Sequence, residues 1–201
     1  SVMNLGILMV QGLVNSFGPT VMAAFAAAVK VDAFAYMPVQ DFGNAFSTFI
    51  AQNYGAGEKE RIRKGLRSAV LAAFIFCTAV SLLVFIFAGL LMGLFVDAGE
   101  SAIIAEGVAY LRIEGAFYWG IGCLFLLYGL YRGLGRPGMS VVLTAVSLGT
   151  RVALAYILSG PVGVTGIWWS VPIGWVLADI VGLAYYMLKV KEPKIKGETQ
   201  K

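Results

Sequence analysis

The sequence predicts an all-α protein, a polytopic transmembrane helical bundle of six helices. Three features carry that reading. Hydrophobic residues make up 59% of the 201 and charged residues only 13%, with a mean hydropathy of +0.82; a soluble domain is about 25% charged. The apolar stretches are solid runs, not the alternating pattern of a barrel strand. The longest, Ser68 to Val96, holds 29 residues without a charge, more than the ~20 a span needs. Finally, basic residues gather in every second loop.

The first segment, about 2–17, is short for a span and is closed by Gly18-Pro19. The second, about 21–54, carries the polar stripe around which the chain is organised. At ~100° per residue, Gln40, Asp41, Asn44, Ser47, Thr48 and Gln52 share an arc of roughly 140°. Val39, Phe42, Phe46, Phe49 and Ile50 fill the other side. Such a stripe has to face protein or water, not lipid, so it predicts a water-filled cavity. A straight helix of this length measures ~51 Å, against a hydrocarbon core of ~30 Å. It therefore tilts, bends or projects, and Pro38 is the expected kink. Gly55 and Gly57 suit its C-terminus.

The remaining helices fall at about 67–96, 102–134, 139–158 and 164–188, the last with Pro172 inside it. Residues 1–188 form one transmembrane unit and 189–201 a basic tail. Loop 54–67, loop 132–138 and the tail hold 12 of the 15 basic residues, whereas loops 18–20, 97–101 and 159–163 hold none. Positive loops stay in the cytoplasm. The expected arrangement is multi-pass in the plasma membrane, with the C-terminus cytoplasmic. The basic clusters are read as this topology signal, with no nucleic acid as partner.

Charges inside spans cost about 2.5–3.5 kcal/mol at the bilayer centre, so depth ranks them. Lys30, Asp32 and Glu106 lie near helix ends and are expected to reach the interface. Asp41, Glu114 and Arg151 lie well inside, and Asp179 lies past the middle of the last helix. Arg112 is two residues from Glu114 and so off its face. Glu114 and Arg151 are expected to pair across helices, as a structural salt bridge or as a proton or substrate site. The first candidates for substrate or ion contact are Asp41, Gln40 and Asn44; Glu114, Arg112 and Arg151 follow. Tyr36 is a candidate to stack on flat cations, and Trp168 and Trp169 are expected in an interfacial belt.

The chain has no histidine, which excludes His-ligated zinc, Ser-His-Asp catalysis and His proton relays. Cys77 and Cys123 sit in apolar runs and read as small helix residues. The glycines of YRGLGRPGMS follow no strand and carry no nucleotide signal. No enzyme activity, metal or cofactor is expected.

Three stretches together resemble the multidrug and toxic compound extrusion (MATE) family: QNYGAGEKERIRKG, YLRIEGAFYWGIGCLFLLYGLYRGLGRPGMSVVLTAVSLGTRVALAYIL and GVTGIWWSVPIGW. The resemblance implies the C-terminal lobe of a two-lobe, twelve-helix transporter, entered partway through its first helix. It implies cation-coupled antiport, by H+ or Na+, exporting amphiphilic compounds or organic cations, with an N-terminal six-helix lobe as partner. The family's acid on the first helix of this lobe is missing, and Gly120, Ile121 and Gly122 stand where an aspartate occurs in some members, so a sodium-type site does not carry over. A lipid-linked saccharide flippase of related architecture is the alternative, as is a non-transporting half needing a partner lobe.

Overall fold

A computed structural model describes residues 2–189, and the expected tail beyond Lys189 lies outside them. Among the described residues there are seven helices and no strands: α1 (Val2–Asn15), α2 (Pro19–Gly55), α3 (Lys59–Met92), α4 (Ser101–Gly115), α5 (Tyr118–Gly133), α6 (Pro137–Val162) and α7 (Val164–Lys189). Four of these are long and apolar enough to cross a membrane, and α4 with α5 is long and apolar enough when the bent pair is taken as one span. The exposed shell is correspondingly apolar: Phe74, Leu82, Ile86 and Leu90 on α3 are all open, as expected where lipid is the solvent.

The helical bundle is the one the sequence predicts, with two differences. The expected helix 102–134 is broken, with α4 and α5 meeting at 51°. The break falls at Ala116 and Phe117, where the Phe117 N–H turns to the Glu114 carbonyl at 2.9 Å, one residue short of the α-helical partner. No proline causes it. α2 is continuous for its full 37 residues, with Pro38 inside it. Second, the basic segment before residue 67 is helical. α3 begins at Lys59, and its first turns carry an exposed Glu60–Lys64 ion pair at 3.0 Å.

Two packing units position the interior. α2 crosses α5 on small residues: a β-carbon on Gly43 would stand 2.8 Å from the Phe125 carbonyl oxygen, and one on Gly129 would strike the Gly43 carbonyl. Such close backbone approach is a common way for helices to associate in lipid, where burial against tails gains little. α6 and α7 form an antiparallel pair joined by Gly163 alone, in a left-handed conformation (φ 69°) that favours glycine. Gly174 lets α7 lie against the Ser147 carbonyl of α6.

Candidate functional site

Two adjoining features occupy the interior between these units. The first is a buried pair of acids. Asp32 of α2 and Glu114 of α4 are each 3% exposed. Their carboxyl groups lie close together, with the Tyr110 hydroxyl beside them. The Tyr118 hydroxyl donates to Asp32 Oδ1. Glu114 Oε1 has no hydrogen-bond partner. The break in the span sits inside this cluster: Glu114 closes α4, and Tyr118 opens α5. Above it, Phe25 stacks on Trp168 at 5.5 Å and Tyr110 meets both rings edge-on.

The second feature is a cavity of about 450 Å³ bounded by α2, α5, α6 and α7. Gln40 and Asn44 line it from α2, and Tyr128 and Arg132 from α5. Ser140, Thr144, Ser147 and Arg151 line it from α6, while Ile121, Leu124, Phe125 and Trp175 form its apolar wall. Its polar lining is held by short-range bonds. Arg132 Nη2 donates to Asn44 Oδ1 at 2.7 Å, and the Thr144 hydroxyl bonds the Tyr128 hydroxyl at 3.2 Å. A β-carbon on Gly174 would stand 3.6 Å from Arg151 Cβ, so the α6–α7 contact fixes the root of that side chain.

Arg151 joins the two features. It lines the cavity, and its charge acts on both Asp32 and Glu114. The expected Glu114–Arg151 contact is therefore a field across a gap: no ion pair within 4 Å involves Arg151 among the described residues, and its Nε has no hydrogen-bond partner. Tyr36 is half-buried near the same charges and tilts against Phe125 at 6.2 Å.

The other candidates lie elsewhere. Asp41 is on the exposed flank of α2, beside Gln40 but outside the cavity lining. Arg112 is exposed, its guanidinium 5.5 Å from the Phe85 ring. Asp32 corrects the depth reading. Measured along α2 it sits near an end, yet Tyr110, Glu114 and Tyr118 of the neighbouring bent span enclose it. The signal available in the sequence was spacing: Asp32, Tyr36, Gln40 and Asn44 recur every fourth residue, a single drifting line on one helix face. Trp168 is also corrected. It is 1% exposed, with its indole N–H donating to Glu106 Oε1 at 2.9 Å, whereas Trp169 is exposed as a belt residue would be. A further buried acid, Asp179, lies between α5 and α7, 3.8 Å from where a β-carbon on Gly120 would stand. Among the described residues, no group of three or more His, Cys, Asp or Glu side chains gathers as a metal site.

Comparison with known proteins agrees with this geometry. Residues 2–157 match the MatE family. The probable multidrug resistance protein YpnP of Bacillus subtilis is 26% identical over 182 residues, covering 90% of this chain and 40% of its own length. Among solved structures, a MOP superfamily transporter from Pyrococcus furiosus, described as having a binding pocket of reverse polarity that suggests a different function, aligns with a TM-score of 0.87 at 22% identity. It covers 94% of this chain and 43% of that one. A mutant of the Vibrio cholerae MATE transporter VcmN aligns with a TM-score of 0.87 at 20% identity, over 96% of this chain and 44% of that one. The chain thus spans about 40% of the length of the curated relatives it matches. With the match covering most of the sequence and the fold shared throughout, the chain belongs to the MatE family of membrane transporters.

Proposed function

We propose that this chain is one lobe of a secondary active exporter of amphiphilic small molecules, drugs among them, driven by antiport of H+ or Na+. A second six-helix lobe faces it within the membrane, and the two rock around the cargo held near the midplane. The basic ends of the helices lie in the cytoplasm, with the whole in the plasma membrane. Asp32 and Glu114 form the coupling site. Gln40, Asn44 and Arg151 contact cargo, and Asp41 looks across to the partner lobe.

The observation that carries this reading is the acid pair. Two carboxyl groups buried at membrane depth are costly, and among the described residues neither has a salt-bridge partner within 4 Å. A proton or monovalent cation arriving there removes that penalty. The pair sits where the span is broken, so its charge state acts on a joint between α4 and α5. The Pyrococcus furiosus transporter, described as having a pocket of reverse polarity, supports reading cargo from the charges of each pocket and not from the multidrug name of its relatives.

The test is transport by the intact two-lobe protein in proteoliposomes, with an imposed pH gradient in one arm and a sodium gradient in the other. One gradient should drive uptake of a fluorescent amphiphile. Glu114→Gln should cut that coupling roughly 5–150-fold, the span of ordinary coupling free energies. Gradient-driven transport unaltered in Glu114→Gln would remove the acid pair from the mechanism. No transport by the wild type under either gradient would end the exporter reading.

A further inference from the structure

We infer that the cavity takes the anionic group of its cargo, held by Arg151 and Arg132, so that the substrate class is an amphiphile bearing a phosphate, sulfonate or carboxylate and not an organic cation. This rests on the exporter reading above and narrows it.

The cavity wall is the first argument. Among the described residues its charged lining is Arg132 and Arg151, with no carboxylate. The other polar groups are two amides, Gln40 and Asn44, and the hydroxyls of Tyr128, Ser140, Thr144 and Ser147, all able to donate to an oxyanion. The apolar wall of Ile121, Leu124, Phe125 and Trp175 suits the other end of an amphiphile. At about 450 Å³ the space falls within the usual range for a small-molecule site.

The charge balance is the second. Asp32 and Glu114 are buried together, and neither lines the cavity. The charge of Arg151 acts on that pair from the cavity side. Arg132 is left as the uncompensated charge: its bonds go to neutral acceptors, Asn44 Oδ1 and the Tyr128 carbonyl. A cationic cargo here would face two guanidinium groups with no counter-charge in the wall. An anion would meet them among neutral donors.

The third is geometry. Arg151 Nε is buried without a partner. A guanidinium binds oxyanions through paired N–H groups in one plane, and Nε is one half of such a fork. In Arg151 that half is unsatisfied among the described residues but shielded, so it meets an oxyanion once the side chain turns into the cavity it lines.

The experiment uses the intact two-lobe transporter, purified, and measures binding of two probes by fluorescence anisotropy. Fluorescein is an amphiphilic dianion and ethidium a planar cation. Fluorescein should bind at least about tenfold more tightly than ethidium. Arg151→Gln should weaken fluorescein about tenfold or more, the usual scale for a hydrogen bond to a charged group, and leave ethidium unchanged or tighter. Arg151→Lys should recover part of the loss, since it keeps the charge without the fork. Tighter ethidium binding in the wild type overturns the inference, whether or not the variants fold. So does a folded Arg151→Gln with unchanged fluorescein affinity.

A parallel arm identifies the source of the anion by following inward–outward flipping of fluorescent phosphatidylglycerol with dithionite quenching. Flipping that depends on Arg151 assigns the anion to a lipid headgroup, and soluble-probe binding without flipping assigns it to a free small molecule. Either supports the shared chemistry. Ethidium efflux without fluorescein binding would keep the exporter reading and remove this one. Arg151-dependent fluorescein binding with neither probe transported would do the reverse.

Discussion

Asp32 and Glu114 are 3% exposed and look onto tyrosine hydroxyls and each other, whereas Arg132, on the same bent span, is exposed and reaches across open space to Asn44. The two regions share helices α2 and α4–α5 but are built on opposite terms. At the acid pair, every change of charge is felt at nearly full strength because little water screens it. In the cavity, a charge is screened and a lost contact can be replaced by water. On the proposed reading, the pair serves the coupling ion and the cavity the anionic end of the cargo. Arg151 belongs to both, which is why its field reaches the acids while its Nε stays free.

That contrast can be broken most forcefully at the seam that holds the cavity wall. Gly129→Leu would drive a side chain into the Gly43 carbonyl and pry α5 from α2. Overpacking of this kind costs about 1–3 kcal/mol, and thermal unfolding of the purified intact protein should show the loss. A variant as stable as wild type would mean that the seam is looser than described.

Tyr118→Phe comes next. It removes the hydroxyl that donates to Asp32 and leaves a buried acceptor with one partner fewer, a cost of about 1–3 kcal/mol. The expected effect is reduced stability together with altered ion dependence of transport. Loss of stability with ion dependence unchanged would make the tyrosine a scaffold alone.

Asn44→Ala should cost less, about 0–1 kcal/mol, since Arg132 is exposed and water takes the place of the amide. If the cavity is as wet as its counterpart is dry, the melting temperature barely moves while cargo affinity changes. A large destabilisation would place Asn44 in the same dry class as Asp32.

Smallest in stability is Asp41→Asn, expected within ±0.5 kcal/mol because the residue is exposed. Its effect on transport by the two-lobe protein should be present but smaller than that of Glu114→Gln. An unchanged transport rate would place Asp41 outside the path altogether.

Much of this fold could be read from the residues, because hydrophobic period and charge placement are local properties. The runs around Ser68–Val96 and the polar line through Gln40 and Asn44 placed helices and marked one wall of the cavity. What escaped depends on contacts between helices. The break at Ala116–Phe117 has no proline to announce it; a shifted carbonyl partner makes it. Asp32 looked interfacial because distance along its own helix was the only ruler, and its burial is supplied by Tyr110, Glu114 and Tyr118, some eighty residues later. Trp168 and Trp169 are adjacent and chemically alike, yet a 100° turn puts one beside Glu106 and the other outside.

The single-residue connection at Gly163 has a mechanical consequence. With Gly166 against the Leu158 carbonyl and Gly174 against that of Ser147, α6 and α7 are clamped along much of their length and act as one stiff lever. A tilt of this lever carries Arg151 and Trp175 together, so their spacing is preserved while the gap to Gln40 and Asn44 opens or shuts. Spin labels on exposed Val142 and Leu177 should keep one distance through the transport cycle, and a pair on Phe49 and Val141 should not. Two distances for the first pair would show that the lever flexes.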